Sequence, residues 1–186
     1  NGGNTMLIFI AGVHGVGKGY LCSFAKDDFG VTHVSASELI KNNSNIKFDN
    51  SKLTTTPDKN QSILLTALNA LKSKVSNILL DGHFTLINKN GDIEVLKQEV
   101  FEEMGLDGVI LVEESPDTIR ERIMKRDGSD ITYDLNKLME AERENAKYVT
   151  NKINVPLIIL ESPTTNDLSI ALEKLGMVKK HAQTTL

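Results

Sequence analysis

Cysteine occurs once in this chain, at Cys22, so no internal disulfide can form and a disulfide scaffold is excluded. A lone thiol fits a reducing compartment, and a cytoplasmic location is expected. No apolar stretch approaches the roughly 20 residues that span a bilayer, so no membrane segment is expected. The apolar run Met6 to Ala11 lacks a basic leader and a cleavage site, which argues against a signal peptide. Excess positive charge is also missing. The formal net charge is -4, and no basic run offers a track for nucleic acid, which is not an expected partner. Arginine is scarce, at positions 120, 122, 126 and 143 alone. There is no internal repeat and no low-complexity linker. What is present is 40% hydrophobic and 25% charged over 186 residues, which argues against disorder and suffices for one compact domain.

Short β runs alternate with amphipathic segments, the signature of a parallel sheet covered by helices. Five runs read as buried strands: Leu7–Ala11, Thr32–Ser35, Ile78–Asp81, Val109–Val112 and Leu157–Leu160. A helix opens after the first strand and buries Leu21, Phe24 and Ala25. A second is expected from about Asp58 to Lys74, and a third carries Leu96, Val100 and Met104, with Gly105 at its C-terminus. A fourth begins at Ser115-Pro116-Asp117, an N-cap followed by proline and an acid at the positive helix end. A fifth covers about Leu135 to Val149, and the last runs from about Asp167 to Leu175. Residues 1–5 read as a flexible lead-in. The polar stretch Asn42 to Pro57 reads as a long loop, functional or disordered. A shorter polar stretch, Asp127 to Asp134, lies between two helices.

Gly12-Val13-His14-Gly15-Val16-Gly17-Lys18-Gly19 follows a β run and opens a helix, the context a phosphate-binding loop requires. Glycines let successive N–H groups converge on phosphate oxygens, and the helix N-terminus adds partial positive charge. Lys18 would meet the β and γ phosphates. The opposing reading is a glycine-rich turn with a surface lysine. One departure from the general pattern stands out: the position after the lysine is Gly19, then Tyr20, where Ser or Thr would bind Mg²⁺. The metal is therefore expected to be held through waters and by the nucleotide.

Gly17-Lys18-Gly19 resembles the loop of adenylate kinases. In order along the chain, Val34-Ser35-Ala36-Ser37-Glu38-Leu39-Ile40-Lys41 resembles the segment after their second strand. Leu79-Leu80-Asp81-Gly82-His83 resembles the third-strand motif of the archaeal and nuclear branch. Glu113 to Ile119, with Arg122 and Arg126, resembles the fourth strand and the helix leading to the lid. The resemblance to this family of nucleoside monophosphate kinases covers roughly residues 6 to 175. It implies an α/β three-layer P-loop fold whose five-stranded parallel sheet has the order 2-3-1-4-5. It also implies a single kinase domain over about 6–180, an acceptor-binding insert at about 36–62 and a short lid at about 127–134.

The same resemblance implies ATP and Mg²⁺ as cofactors. Gly12, His14, Gly15, Val16, Gly17, Lys18, Gly19 and Tyr20 would surround the phosphates. Arg122 would lie near the ATP base and Arg126 near its phosphates; the opposing reading pairs this exposed helix with Glu121 and Asp117. Asp81 would orient metal-bound water, or else is a turn or N-cap aspartate. His83 could contact a phosphate or be structural. Ser35, Ser37 and Lys41 would receive the acceptor phosphate, with lysine supplying charge but no bidentate fork. Gln61 could read a base edge or simply be solvated. Arg143 could reach back over the phosphates or pair with Glu140 or Glu144.

The implied reaction moves the γ-phosphoryl group of ATP to a nucleoside monophosphate, AMP favoured, by a monomer or weak dimer. Positioning and charge stabilisation would carry catalysis, with Lys18, Arg126 and Asp81 central. Two alternatives remain open. The acceptor could be a small-molecule hydroxyl with Asp81 or Glu38 as base, or the protein could be a nucleotide-driven switch ATPase acting on an RNA or protein partner.

Overall fold

The computed structural model describes residues 5–44 and 57–180. Most of the lead-in, and the central part of the long polar loop and of the expected insert, lie outside the described residues.

Five parallel strands form the sheet: β1 (Met6–Ala11), β2 (Thr32–Ser35), β3 (Asn77–Gly82), β6 (Gly108–Glu113) and β7 (Leu157–Glu161). A two-stranded antiparallel hairpin, β4 (Thr85–Ile87) and β5 (Ile93–Val95), follows β3. The order across the sheet is β2-β3-β1-β6-β7. The five sheet strands thus follow the expected arrangement, but the chain numbering reads 2-3-1-6-7 because sequence reasoning did not anticipate the hairpin. The sheet strands are apolar because both faces are covered. On one side Ile8, Ile10, Leu79, Ile110 and Val112 pack against α1 (Lys18–Phe29) and α7 (Thr165–Lys174). On the other, Leu7, Phe9, Leu80 and Leu111 meet α3 (Pro57–Lys72) and the C-terminal half of α6 (Leu135–Ile153). The result is a three-layer α/β fold.

Helix ends follow local chemistry. Ser35 caps α2 (Ala36–Asn43), its hydroxyl accepting from Glu38 N at 3.0 Å. Ser115 caps α5 (Pro116–Asp127) in the same way through Thr118 N, and α5 ends at Gly128, whose φ is 73°. Thr164 and Asp167 form a reciprocal capping box on α7. The expected third helix shrinks to α4 (Gln98–Glu102), because Leu96 N donates instead to Phe84 O at 2.9 Å and closes the hairpin. Phe9, Phe84 and Phe101 stack edge-on and tilted with centroids 4.6 to 5.5 Å apart, and so fix the root of the hairpin over the sheet.

The hairpin is also held from α6. Glu142 is 2% exposed and accepts from Phe84 N at 2.6 Å and Thr85 Oγ1 at 2.5 Å. Asn145 Nδ2 donates to Phe84 O and Leu96 O. Burial pushes the Glu142 carboxyl up, against those two donors. This α6 clamp fixes the turn that carries His83. No helix among the described residues is long and apolar enough to cross a membrane.

Candidate functional site

The C-terminal ends of β1, β2 and β3 and the second half of α5 open onto one cleft of about 460 Å³. Such a position, beyond the carboxyl ends of parallel strands, is where open α/β sheets hold ligands. Its floor is the glycine loop, residues 13–17, with Gly12 just before it. Gly12 has φ 148°, and a Cβ there would sit 2.5 Å from the Val112 carbonyl oxygen. Gly15 and Gly17 have φ of 95° and 96°. These positions favour glycine, since a side chain there would be strained. Gly17 is the N-cap of α1 and brings no side-chain cap. The first-turn N–H groups of α1 therefore remain available to an anion.

Lys18 is 8% exposed and lies along this floor. Its Nζ donates to Gly12 O, and more weakly to Gly82 O at 3.4 Å. It faces Asp81 Oδ1 at 3.8 Å and His83 Nε2 at 3.3 Å. Burial holds the Lys18 pKa below the usual lysine range, and Asp81 opposes that shift. An ammonium can only donate, so the facing nitrogen of His83 must accept. Burial, then the Lys18 charge, brings the His83 pKa down to about 4, which keeps the ring neutral near pH 7.

α5 covers the other side of the loop. Arg122 Nη1 donates to Gly15 O at 3.1 Å, and Glu114 holds the same guanidinium at 3.7 Å. Arg126 donates to His14 Nε2 and to Asp127 Oδ1, the latter at 3.0 Å. His14 is thereby an acceptor, and burial with the Arg126 charge lowers its pKa. Ile119 and Ile123 pack against Gly15 from beneath.

The cleft thus brings together His14, Gly15, Val16, Gly17, Lys18, Gly19, Ser35, Ser37, Asp81, His83, Arg122 and Arg126. Ser35 and Ser37 lie with hydroxyls 3.1 Å apart at its β2 end. Five expected site residues do not line it: Gly12, Tyr20, Lys41, Gln61 and Arg143. Tyr20 is 73% exposed on the outer side of α1. Lys41 is exposed in the last turn of α2, a helix the sequence had not marked. Gln61 donates to Glu99 O and Glu103 Oε2, both at 3.4 Å, which commits it to α4. Arg143 forms a fork on Glu113, Nε to Oε2 at 2.9 Å and Nη2 to Oε1 at 2.5 Å, and approaches Glu161 at 3.7 Å. Neither Glu140 nor Glu144 is its partner. Gly12 supports the floor from below by its carbonyl.

Two residues that sequence reasoning passed over belong beside the site. His33 Nε2 lies 3.4 Å from Asp81 Oδ2. Period-two alternation along β2 places His33 and Ser35 on one face, which was a usable signal. Glu142 acts from 57 residues away on the hairpin, and no local pattern announces it.

ATP fits this donor set: an uncapped helix start, a loop of positive-φ glycines, one buried lysine and two arginines. For Mg²⁺, Asp81 is the one carboxylate among the described residues lining the cleft, and Gly19 supplies no hydroxyl. That set fits a metal held through water.

Solved structures with the same fold include a shikimate kinase from Acinetobacter baumannii in complex with shikimate. It is 14% identical, covers 93% of each chain and has a TM-score of 0.53. A gluconokinase from Sinorhizobium meliloti 1021 is 14% identical over 94% of this chain and 93% of its own, with a TM-score of 0.52. A sugar kinase from Janibacter sp. HTCC2649 is 17% identical over 94% and 96%, with a TM-score of 0.53. No curated protein matches the chain by sequence. These likenesses carry the P-loop kinase fold and are broader than the adenylate kinase branch. An AAA domain model matches residues 11–138, from the end of β1 into α6. The match covers more than half of the sequence: the chain belongs to the AAA domain family and has the P-loop kinase fold.

Proposed function

We propose that the protein is an ATP-dependent kinase that phosphorylates a hydroxyl group of a small polyhydroxylated metabolite. One observation carries this reading: the two ends of the cleft differ in charge. Arg122 and Arg126 both stand on α5, over the glycine loop, where the donor phosphates belong. The opposite end is lined by Ser35, Ser37, Asp81 and His83, and among the described residues its only cation is Lys18. A monophosphate dianion placed there would face the Asp81 carboxylate without an arginine to offset it. A hydroxyl suits the same place, because it can donate to Asp81 and accept from serine.

The AMP acceptor that the adenylate kinase resemblance suggests has less support. Lys41 lies outside the cleft lining, and Arg143 is committed to Glu113. The neighbours named above act, by their names, on shikimate, gluconate and sugars, which share hydroxyl acceptors.

In this reading the loop amides and Lys18 hold the β and γ phosphates. The Lys18 ammonium exchanges its Gly12 and Gly82 carbonyl partners for phosphate oxygens. Asp81 accepts the proton of the attacking hydroxyl as its oxygen bonds to the γ phosphorus. The bond to the β–γ bridging oxygen breaks, and ADP leaves. Asp81 would hold Mg²⁺ through water, and the ion would supply positive charge to the triphosphate. Arg126 stabilises charge on the moving group, and residues 127–134, which follow it, act as a short lid that excludes water.

A coupled ADP-release screen tests the proposal. Sugars, polyols, sugar acids and shikimate are compared with AMP and the other monophosphates, with Lys18→Met as the control for contaminating kinase. Lys18-dependent stimulation by a hydroxyl compound supports the reading. Stimulation by AMP and by no hydroxyl compound rejects it.

A further inference from the structure

Beneath the acceptor end of the cleft, three elements bring together a sulfur, an imidazole and a carboxylate. Cys22 is fully buried on α1, one helical turn after Lys18. His33 lies on β2 and Asp81 near the end of β3. The register pairs His33 with Leu79 and Ser35 with Asp81, so both site residues point to the sheet face that α1 covers. One ligand atom from each residue lies within 4.8 Å of the other two. No other such trio occurs among the described residues. The phosphotransfer reading gives Asp81 a role but leaves Cys22 and His33 without one.

We propose that Cys22, His33 and Asp81 form a binding site for a thiophilic divalent ion of the Zn²⁺ type, and that its occupancy stops phosphoryl transfer by withdrawing Asp81 from the acceptor hydroxyl.

The donor set selects the ion. Sulfur, imidazole nitrogen and carboxylate oxygen are the ligands Zn²⁺ takes, at about 2.3, 2.0 and 2.1 Å. Bonds of that length around a tetrahedral centre put neighbouring ligand atoms roughly 3.3 to 3.6 Å apart. His33 Nε2 and Asp81 Oδ2 are already at 3.4 Å. The sulfur has to move in by up to about 1.3 Å. Mg²⁺ and Ca²⁺ take oxygen ligands and do not want a thiolate. Three protein ligands leave a fourth position for water or a phosphate oxygen.

Binding also balances in protons. The thiol proton, which burial holds on Cys22, passes to solvent as the sulfur–metal bond forms. The Nε2 proton that His33 directs at the Asp81 carboxylate moves to Nδ1 or to solvent and frees the Nε2 lone pair, and Asp81 gives one carboxylate oxygen. Lys18 Nζ lies 3.8 Å from the other oxygen of Asp81, so a dication in the trio would repel the ammonium that the γ phosphate needs. Metal binding thus strikes both the proposed base and the phosphate-binding lysine. This inhibitory half rests on the kinase reading; the metal site itself does not.

The test begins with Co²⁺ added to the full chain without nucleotide, so that it needs no catalysis. A thiolate-to-cobalt charge-transfer band with tetrahedral visible bands is expected at one ion per chain. Cys22→Ser should abolish the charge-transfer band, and His33→Ala should weaken the titration ~tenfold or more. Thermal unfolding of the metal-free variants checks that each is folded. No charge-transfer band at tenfold excess Co²⁺, or superimposable titrations of wild type and His33→Ala, overturns the site. Zn²⁺ is then titrated into the ADP-release assay, with each variant scaled to its own metal-free rate. Wild type should be inhibited at ~tenfold lower Zn²⁺ than His33→Ala. Equal sensitivity, with the cobalt site present, overturns the inhibitory half alone.

Discussion

Lys18 Nζ and Asp81 Oδ1 stand 3.8 Å apart at the head of the cleft, one carried by the first residue of α1 and the other near the end of β3. β1 and β3 are direct neighbours, with Ile10 opposite Asp81 in the register, so the sheet itself sets this approach. The ammonium is also committed to the Gly12 and Gly82 carbonyls. It is thus pre-placed where a γ phosphate would pass between donor loop and acceptor side.

Replacing Lys18 with Met keeps most of the buried volume and removes the charge. The variant should fold at least as well as wild type, because no ammonium has to be desolvated. Its kcat/KM should fall roughly 10²–10³-fold, the loss typical of removing one transition-state donor. Thermal unfolding and ADP release measure the two sides. A folded variant with undiminished turnover would remove Lys18 from catalysis.

Asp81→Asn preserves the shape of the side chain and its hydrogen-bonding reach while removing its capacity to take a proton. We predict a kcat lower by ~10²–10⁴-fold, with a smaller rise in the KM for Mg·ATP because Asp81 would reach the metal only through water. An unchanged kcat accompanied by a raised KM for the acceptor would instead make Asp81 a binding group.

His83 gives a stability signature in pH. Its folded pKa is about 4, against 6.5 for the free side chain, with burial as the main cause. Between those values the unfolded chain binds more protons than the folded one, so His83 makes stability fall as pH drops from 6.5 toward 4. Glu142, raised by burial, acts in the opposite sense. The informative quantity is therefore the difference between His83→Gln and wild type. Urea unfolding should show the variant gaining stability relative to wild type as pH falls through that window. A difference that does not vary with pH would place His83 outside this account.

Two glycines of the loop should respond in opposite ways. At Gly12 a methyl group would sit 2.5 Å from the Val112 carbonyl and 2.9 Å from Val16 Cγ2, on a backbone with φ 148°. Gly12→Ala should cost about 1–3 kcal/mol and weaken nucleotide binding. A Cβ at Gly19 meets nothing within 4 Å. Gly19→Thr should fold normally and, by adding the hydroxyl that the loop lacks, strengthen the Mg²⁺ dependence of ATP binding. Calorimetric binding with and without Mg²⁺ separates the two, and equal tolerance at both sites would contradict the close approach at Gly12.

The sheet and the glycine loop were legible because each is a local pattern. Buried parallel strands such as Leu7–Ala11 are short apolar runs, and the loop follows one and opens a helix. The hairpin was harder to read. Its strands have three residues each, and Leu86 and Val95 are exposed, so no amphipathic alternation marks them. Its turn did leave a trace: Asn90-Gly91 is a strong hairpin dipeptide, Gly91 has φ 82°, and Asn88 Oδ1 accepts from Asn90 N and Asp92 N. What holds the hairpin in place is long-range, namely Glu142 and Asn145 on α6. Arg143 was misread for the same reason. Helical spacing offers Glu140 and Glu144, whereas the sheet brings Glu113 to it from 30 residues away.

Phosphoryl transfer to a hydroxyl and transfer to a monophosphate leave different phosphorus products. The enzyme is given Mg·ATP with a mixture of sugars, polyols, sugar acids and nucleoside monophosphates, and the products are followed by ³¹P NMR. With a hydroxyl acceptor, a new phosphomonoester resonance grows with ADP and is lost in Lys18→Met and Asp81→Asn. A new nucleoside diphosphate drawn from an added monophosphate, with no phosphomonoester formed, would contradict a hydroxyl acceptor.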